Sequence, residues 1–200
     1  MVIPVRKIFW ILFSISLLLA AAGMWVRLAP PVSPSGFRYD ALISALDMEN
    51  EANLPNWFST VLLFGIGLAG WLIYRLRAGA KWQFFWLVFA GIFLLLSLEE
   101  AARLREVLYH TFFFKSIATV YIPAGLALLA LFGGYFLIIE KQNRPLQRWI
   151  LGGLLLFVLG GLGGVLYSDI VVLKEWLELL GEILVLCGCL REINALAGRD

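Results

Sequence analysis

Soft metal ligands are nearly missing from this chain. Its 200 residues include one histidine, His110, and two cysteines, Cys187 and Cys189. A bis-histidine haem and a three-histidine zinc site are therefore excluded within the chain itself. The two cysteines lie one residue apart on a segment with a helical pattern, so they cannot form a framework disulfide, and there is no CxxC motif. Charge is scarce as well: 15% of the residues are Asp, Glu, Lys or Arg, against about 25% in soluble domains. The net charge of +2 supplies no basic surface of the kind that binds nucleic acid, so no nucleic-acid partner is expected.

What is abundant is apolar. Hydrophobic residues make up 62% of the sequence and the mean hydropathy is +0.89, whereas soluble domains are about 45–50% apolar. The composition predicts an all-α polytopic membrane protein, one transmembrane domain over residues 1–200, with the lipid bilayer as its first partner. A membrane helix needs about 20 mostly apolar residues, and six segments qualify. They run from about Val5 to Leu28, Trp57 to Tyr74, Trp82 to Leu108, Ile117 to Ile139, Trp149 to Tyr167 and Ile170 to Leu190. The sixth is the weakest by hydropathy, since it carries Lys174, Glu175, Glu178 and Glu182. A charge at mid-membrane costs about 2.5–3.5 kcal/mol, but the first three lie within the first two turns, where the cost falls. The first segment has signal-peptide features: Arg6-Lys7, an apolar core, then Ala20-Ala21-Ala22. Its core exceeds the usual length, so it reads as an uncleaved anchor.

Lys and Arg in the short loops set the orientation. Arg6, Lys7, Arg75, Arg77, Lys81, Lys141, Arg144, Arg148, Arg191 and Arg199 fall on one side; Arg27, Arg38, Arg103, Arg105, Lys115 and Lys174 fall on the other. The richer side is expected to be cytoplasmic and to hold both termini. The one long connection, Ala29 to Asn56, begins with a Pro/Ser/Gly-rich stretch. Leu42, Ile43 and Leu46 in it share a helical face, which predicts a short helix on the outer surface. Pro55 closes this loop, and Asn56 is the expected cap of the second span.

The polar residues concentrate at that outer level. Glu99, Arg103, Glu106 and His110 are spaced four, three and four apart, so at about 100° per residue they share an arc of roughly 60°. Glu175, Glu178 and Glu182 share a similar arc on the sixth span, while Glu100 and Arg105 point elsewhere. Facing stripes would line one outer pocket. One reading is a carboxylate-rich metal or proton site, in the manner of bundle sites built from glutamates and Glu-x-x-His pairs. The competing reading is a structural polar network of Glu99, Glu100, Arg103, Arg105, Glu106, Lys174, Glu175, Glu178 and Glu182, with cations neutralising acids and fixing helix register. Gly153, Gly160 and Gly164 share a face of the fifth span and are expected to let a neighbouring helix approach closely. Gly65 and Ala69 offer the same on the second span. Tyr121-Ile122-Pro123 reads as a proline tolerated early in the fourth span.

Three motifs resemble an uncharacterised family of bacterial multi-pass membrane proteins. Glu51-Ala52-Asn53-Leu54-Pro55-Asn56-Trp57-Phe58-Ser59 is similar to its ENNLPTWFS opening of the second span. Ser97-Leu98-Glu99-Glu100-Ala101-Ala102-Arg103-Leu104-Arg105-Glu106 resembles SLDEAxxIHE, and Val172-Leu173-Lys174-Glu175-Trp176-Leu177-Glu178-Leu179-Leu180-Gly181 resembles xLEExLEMxG. The resemblance implies an architecture rather than an activity. It also exposes two departures: Arg105 stands where the motif has histidine, and Lys174 where it has glutamate.

Two potential ligands are thus replaced by cations. The leading expectation is a non-catalytic membrane protein, an accessory or structural subunit of a larger membrane complex. The alternative is a metal- or carboxylate-dependent membrane enzyme acting on a lipid or quinone at the outer leaflet, with catalytic candidates Glu99, Glu106, His110, Glu175 and Glu178; no metal is expected, and the ligands of one would be Glu99, Glu106, Glu178 and His110. A third reading is a proton or cation pathway using Glu182, the deepest carboxylate. The sequence identifies no particular cofactor; it excludes only a haem and a three-histidine zinc site held by this chain alone.

Overall fold

A computed structural model describes residues 2–28, 43–47, 53–102, 118–139, 144–166 and 171–198. Among them there is no strand. The helices are α1 (Val5–Leu28), α2 (Leu54–Leu76), α3 (Gln83–Ala102), α4 (Ala118–Gly134), α5 (Arg144–Leu166) and α6 (Val171–Ala197). α4 runs directly into a π-helical turn, Tyr135–Ile139. Four stretches are long and apolar enough to cross a membrane: α1, α2, α3 and Pro145–Leu162 within α5.

α6 is the hub. It packs along α5, α2 and α1, and α2 in turn packs along α3. Contacts fix the directions. Ile3 meets Asn194, and Phe13 meets Trp176, so α1 runs antiparallel to α6. Ser59 meets Glu182 and Arg77 meets Glu192, so α2 runs parallel to α6. The chain start and the C-terminal turns of α6 therefore lie at one end of the bundle. Arg6, Lys7, Arg75, Arg77, Lys81, Arg148 and Arg191 all belong to helix ends or turns at that end.

Local sequence explains the element boundaries. α2 starts one turn earlier than its hydropathy suggests, because Asn53 rather than Asn56 is the cap: its side chain accepts from Asn56 N at 2.7 Å. Pro55 sits in the first turn, where its missing N–H costs nothing. Asn53 also donates to Asp47 O at 2.9 Å, tying the helical turn at 43–46 to α2. The α2–α3 hairpin closes through Gly79, whose φ of 81° lies in the left-handed region that favours glycine. Pro123 falls a full turn inside α4, beyond the position where a proline is free of cost.

The largest side chains gather where α3, α4 and the π turn meet α2. Trp86, Phe89, Phe93, Phe132 and Phe136 are all buried there, and Phe85 stacks on Tyr135 with centroids 3.4 Å apart. Between lipid-immersed helices such rings act by dispersion and close packing rather than by leaving water. The opposite face of α2 exposes Trp57, Val61, Phe64, Leu68 and Trp71 in alternating steps of four and three. In water a continuous apolar stripe of this kind is a liability; against acyl chains it is a matched surface.

Candidate functional site

Two close helix–helix seams run through the bundle, and the carboxylates gather where α2 and α6 begin. The first joins α5 to α6, and glycine makes it. A Cβ on Gly153 would stand 2.6 Å from Gly181 O, and one on Gly181 would stand 2.6 Å from both Gly153 O and Phe157 N. Backbone touches backbone here, which only glycine on both sides allows. Gly188 continues the seam against Ile150 and Trp149. Gly153 and Gly160 were visible from spacing; Gly181 and Gly188 are their counterparts on α6. Gly164 lies in α5 beyond the part whose packing is described. The second seam joins α2 to α3, and there the close face is Gly67 and Gly70, against Leu94, Phe89 and Ala90. Gly65 instead makes an ordinary contact with Leu186 on α6.

The glycines of α5 also shape the acidic cluster. Gly160 abuts the Glu178 stem, with 2.6 Å between a notional Cβ and Glu178 Cγ. A Cβ on Gly161 would stand 3.6 Å from Glu178 Oε1. Glu178 therefore lies in a slot that any larger residue at Gly160 would fill.

Glu182 is the deepest member. It is 1% exposed. Oε1 accepts from Ser59 Oγ at 2.7 Å, while the buried Oε2 has no hydrogen-bond partner. Glu178, Glu100 and Glu175 lie close enough to act on a charge there. Lys174 donates to Glu175 Oε1 at 3.0 Å. α2 supplies the floor: besides Ser59, the carbonyl of Thr60 accepts from the buried Ser97 of α3 at 3.0 Å.

α2 packs against both α3 and α6 and lies between them. The described carboxylate of α3 that acts on Glu182 is Glu100. The inward face of α3 is set by Phe89, Phe93 and Ser97, all buried, and Glu100 continues it three residues on. The charge spacing had selected Glu99 instead. Extending the buried aromatic line by one turn would have selected Glu100. Arg103, Arg105, Glu106 and His110 lie outside the described residues. Among the described residues, no group of three or more His, Cys, Asp or Glu is arranged to hold a metal ion.

At the other end, Arg77 Nη2 and Glu192 Oε1 form a 2.5 Å ion pair with exposures of 15% and 2%. The Arg77 guanidinium also lies over the Trp86 ring, 5.5 Å from its centre. Asn194 forms a reciprocal pair with Ile3: its Oδ1 accepts from Ile3 N at 2.9 Å, and its Nδ2 donates to Ile3 O at 2.8 Å. Neither Glu192 nor Asn194 stood out in the sequence, because both lie past the apolar part of the last span.

Residues 10–193 match a protein family described as Domain of unknown function (DUF8692), and the chain belongs to that family. No curated protein and no solved structure matches it.

Proposed function

We propose that this member of the family is a non-catalytic integral membrane protein, an accessory or structural subunit of a larger membrane complex. In this reading all six helices cross the bacterial inner membrane and both termini are cytoplasmic. The observation that carries it is where α6 directs its polar side chains. Glu182 goes to Ser59 of α2, Glu192 to Arg77 of α2, and Asn194 to the backbone of Ile3. Glu182, the deepest of the charges that weaken α6 as a span on hydropathy, is turned inward, and so are Glu192 and Asn194 of its last turns. A central helix surrounded by α1, α2 and α5 needs little apolar surface of its own to cross a bilayer. The gathering of Arg and Lys at the end that holds both chain ends supports a cytoplasmic placement there.

The deciding experiment is purification from native membranes in mild detergent. The expected result is a defined complex with a second membrane protein at fixed stoichiometry through size exclusion. A lone monomer, stable and fully recovered, refutes the accessory role.

One observation favours a second reading. Glu182 Oε2 is buried and unpartnered, which is costly unless the group has a use. Among the described residues it is the carboxylate oxygen best placed to take up a proton or small cation. Reconstituted vesicles test this: a proton or cation flux lost in Glu182→Gln supports it, and the absence of flux in the wild type removes it.

A further inference from the structure

A cavity of about 540 Å³ opens between the first turns of α1 and the last turns of α6. This lies within the range of about 300–1,000 Å³ usual for small-molecule sites. Its walls include Arg6, Phe9 and Trp10 from α1, Trp149 from α5, and Arg191 and Asn194 from α6. The acidic end of the bundle is far away, so this groove is separate from the carboxylate cluster.

We infer that this groove binds an anionic membrane phospholipid, with its phosphate between Arg6 and Arg191. Both arginines are exposed, and among the described residues neither pairs with a carboxylate. The nearest candidate in sequence, Glu192, is turned to Arg77. The Asn194 side chain is occupied by Ile3, which leaves the guanidinium groups as the groove's strong donors. Arg191 is held over the Trp149 ring at 5.8 Å. That stacking fixes the plane of the guanidinium and leaves its N–H edges available to an oxyanion. Two cations converging on one groove suit a phosphate diester, whose oxygens accept from both sides.

The apolar part of the groove identifies the ligand as a lipid rather than a free anion. Trp10 is half-exposed, and Leu17 and Met24 follow it on α1 at spacings of seven, both exposed. Seven residues are close to two helical turns, so the three side chains share one face. They form an apolar track running from the arginines toward the other end of the bundle, as an acyl chain would run from its headgroup. Tryptophan at the head of such a track is the usual residue of the membrane–water boundary. The inference rests on the reading that this end of the bundle lies at a membrane surface. Basic grooves between helices on the cytoplasmic side are suited to acidic headgroups.

The test uses the full-length protein in detergent, native mass spectrometry, and three probes: phosphatidylglycerol, phosphatidylcholine and inorganic phosphate. The wild type is expected to retain one phosphatidylglycerol with at least about tenfold preference over phosphatidylcholine, the scale set by two basic side chains near a membrane surface. Arg6→Gln with Arg191→Gln is expected to bring retention down to the phosphatidylcholine level at unchanged melting temperature. If that double variant does not fold, Arg6→Gln alone, at an exposed position, is expected to show a smaller loss in the same direction. Arg148→Gln, exposed at the same end but outside the groove, is the control and should bind as the wild type does. Equal retention of the two lipids overturns the proposal, as does equal loss in Arg148→Gln. Displacement of bound lipid by millimolar inorganic phosphate also overturns it, since the site would then read only the anion. None of these readouts depends on whether a partner subunit co-purifies, so the two proposals fail separately.

Discussion

Replacing Gly181 with alanine should disrupt the α5–α6 seam. The added Cβ would lie 2.6 Å from Gly153 O and 2.6 Å from Phe157 N, and 3.0 Å from Phe157 Cα. All three are backbone atoms, so no side-chain rotation relieves the clash and the two helices must separate. Overpacking a tight interface costs about 1–3 kcal/mol, and a backbone-limited case belongs at the upper end. Alanine returns at most about 1 kcal/mol of helix propensity, leaving a net loss of about 1–2 kcal/mol. At about 2–4 °C per kcal/mol for a chain of this size, the melting temperature should fall by about 2–8 °C. The matched control is Gly152→Ala on α5, one residue from Gly153, where the added Cβ meets nothing within 4 Å. It should leave stability unchanged or raise it slightly. The assay is thermal unfolding in one detergent, followed by intrinsic tryptophan fluorescence. If Gly181→Ala melts at or above Gly152→Ala, the direct backbone contact is wrong and the seam is looser than described.

Two further perturbations address the polar clamps. Arg77→Ala or Glu192→Gln breaks the buried ion pair and should cost about 3–5 kcal/mol, whereas replacing both with methionine should recover much of that; a double-mutant cycle by thermal unfolding that finds the single and double changes additive refutes the coupling. Ser59→Ala takes away the one hydrogen bond of Glu182 and should cost about 1–3 kcal/mol, while Glu182→Gln keeps an acceptor for Ser59 and should melt no lower than the wild type. The reverse order of those two variants would mean that the buried carboxylate, rather than its hydrogen bond, stabilises the bundle.

Helix positions were legible from the sequence because long apolar runs bounded by polar loops mark them. α1 matches its expected bounds at both ends, and α3 and α4 begin within one residue of theirs. Which face of each helix turns inward was much less legible. On α3 the charges and the buried aromatics each have a helical period, offset by about one residue, and only packing against α2 and α4 decides between them. The α6 end was misjudged for a related reason. Hydropathy sees Glu192 and Asn194 as solvent-seeking residues past the last span, yet α6 continues to Ala197 and spends both on other segments. The glycine partners on α6 were missed because Gly181 and Gly188 are spaced at seven, outside the four-residue signature used to find close packing. The slot that Gly160 makes for Glu178 has no sequence signature, since it joins residues from two helices.

The Ile3–Asn194 pair and the packing of α1 on α6 also constrain biogenesis. α1 has little contact with α2 and rests mainly on α6, so it finds its main partner in a helix synthesised well after it. At about 5–20 residues per second, translation from the end of α1 to the end of α6 takes roughly 8–34 s. Throughout that interval the inward face of α1, Ser16 and Gly23, has no α6 to cover it. α1 thus cannot take up its main packing surface until α6 has been made.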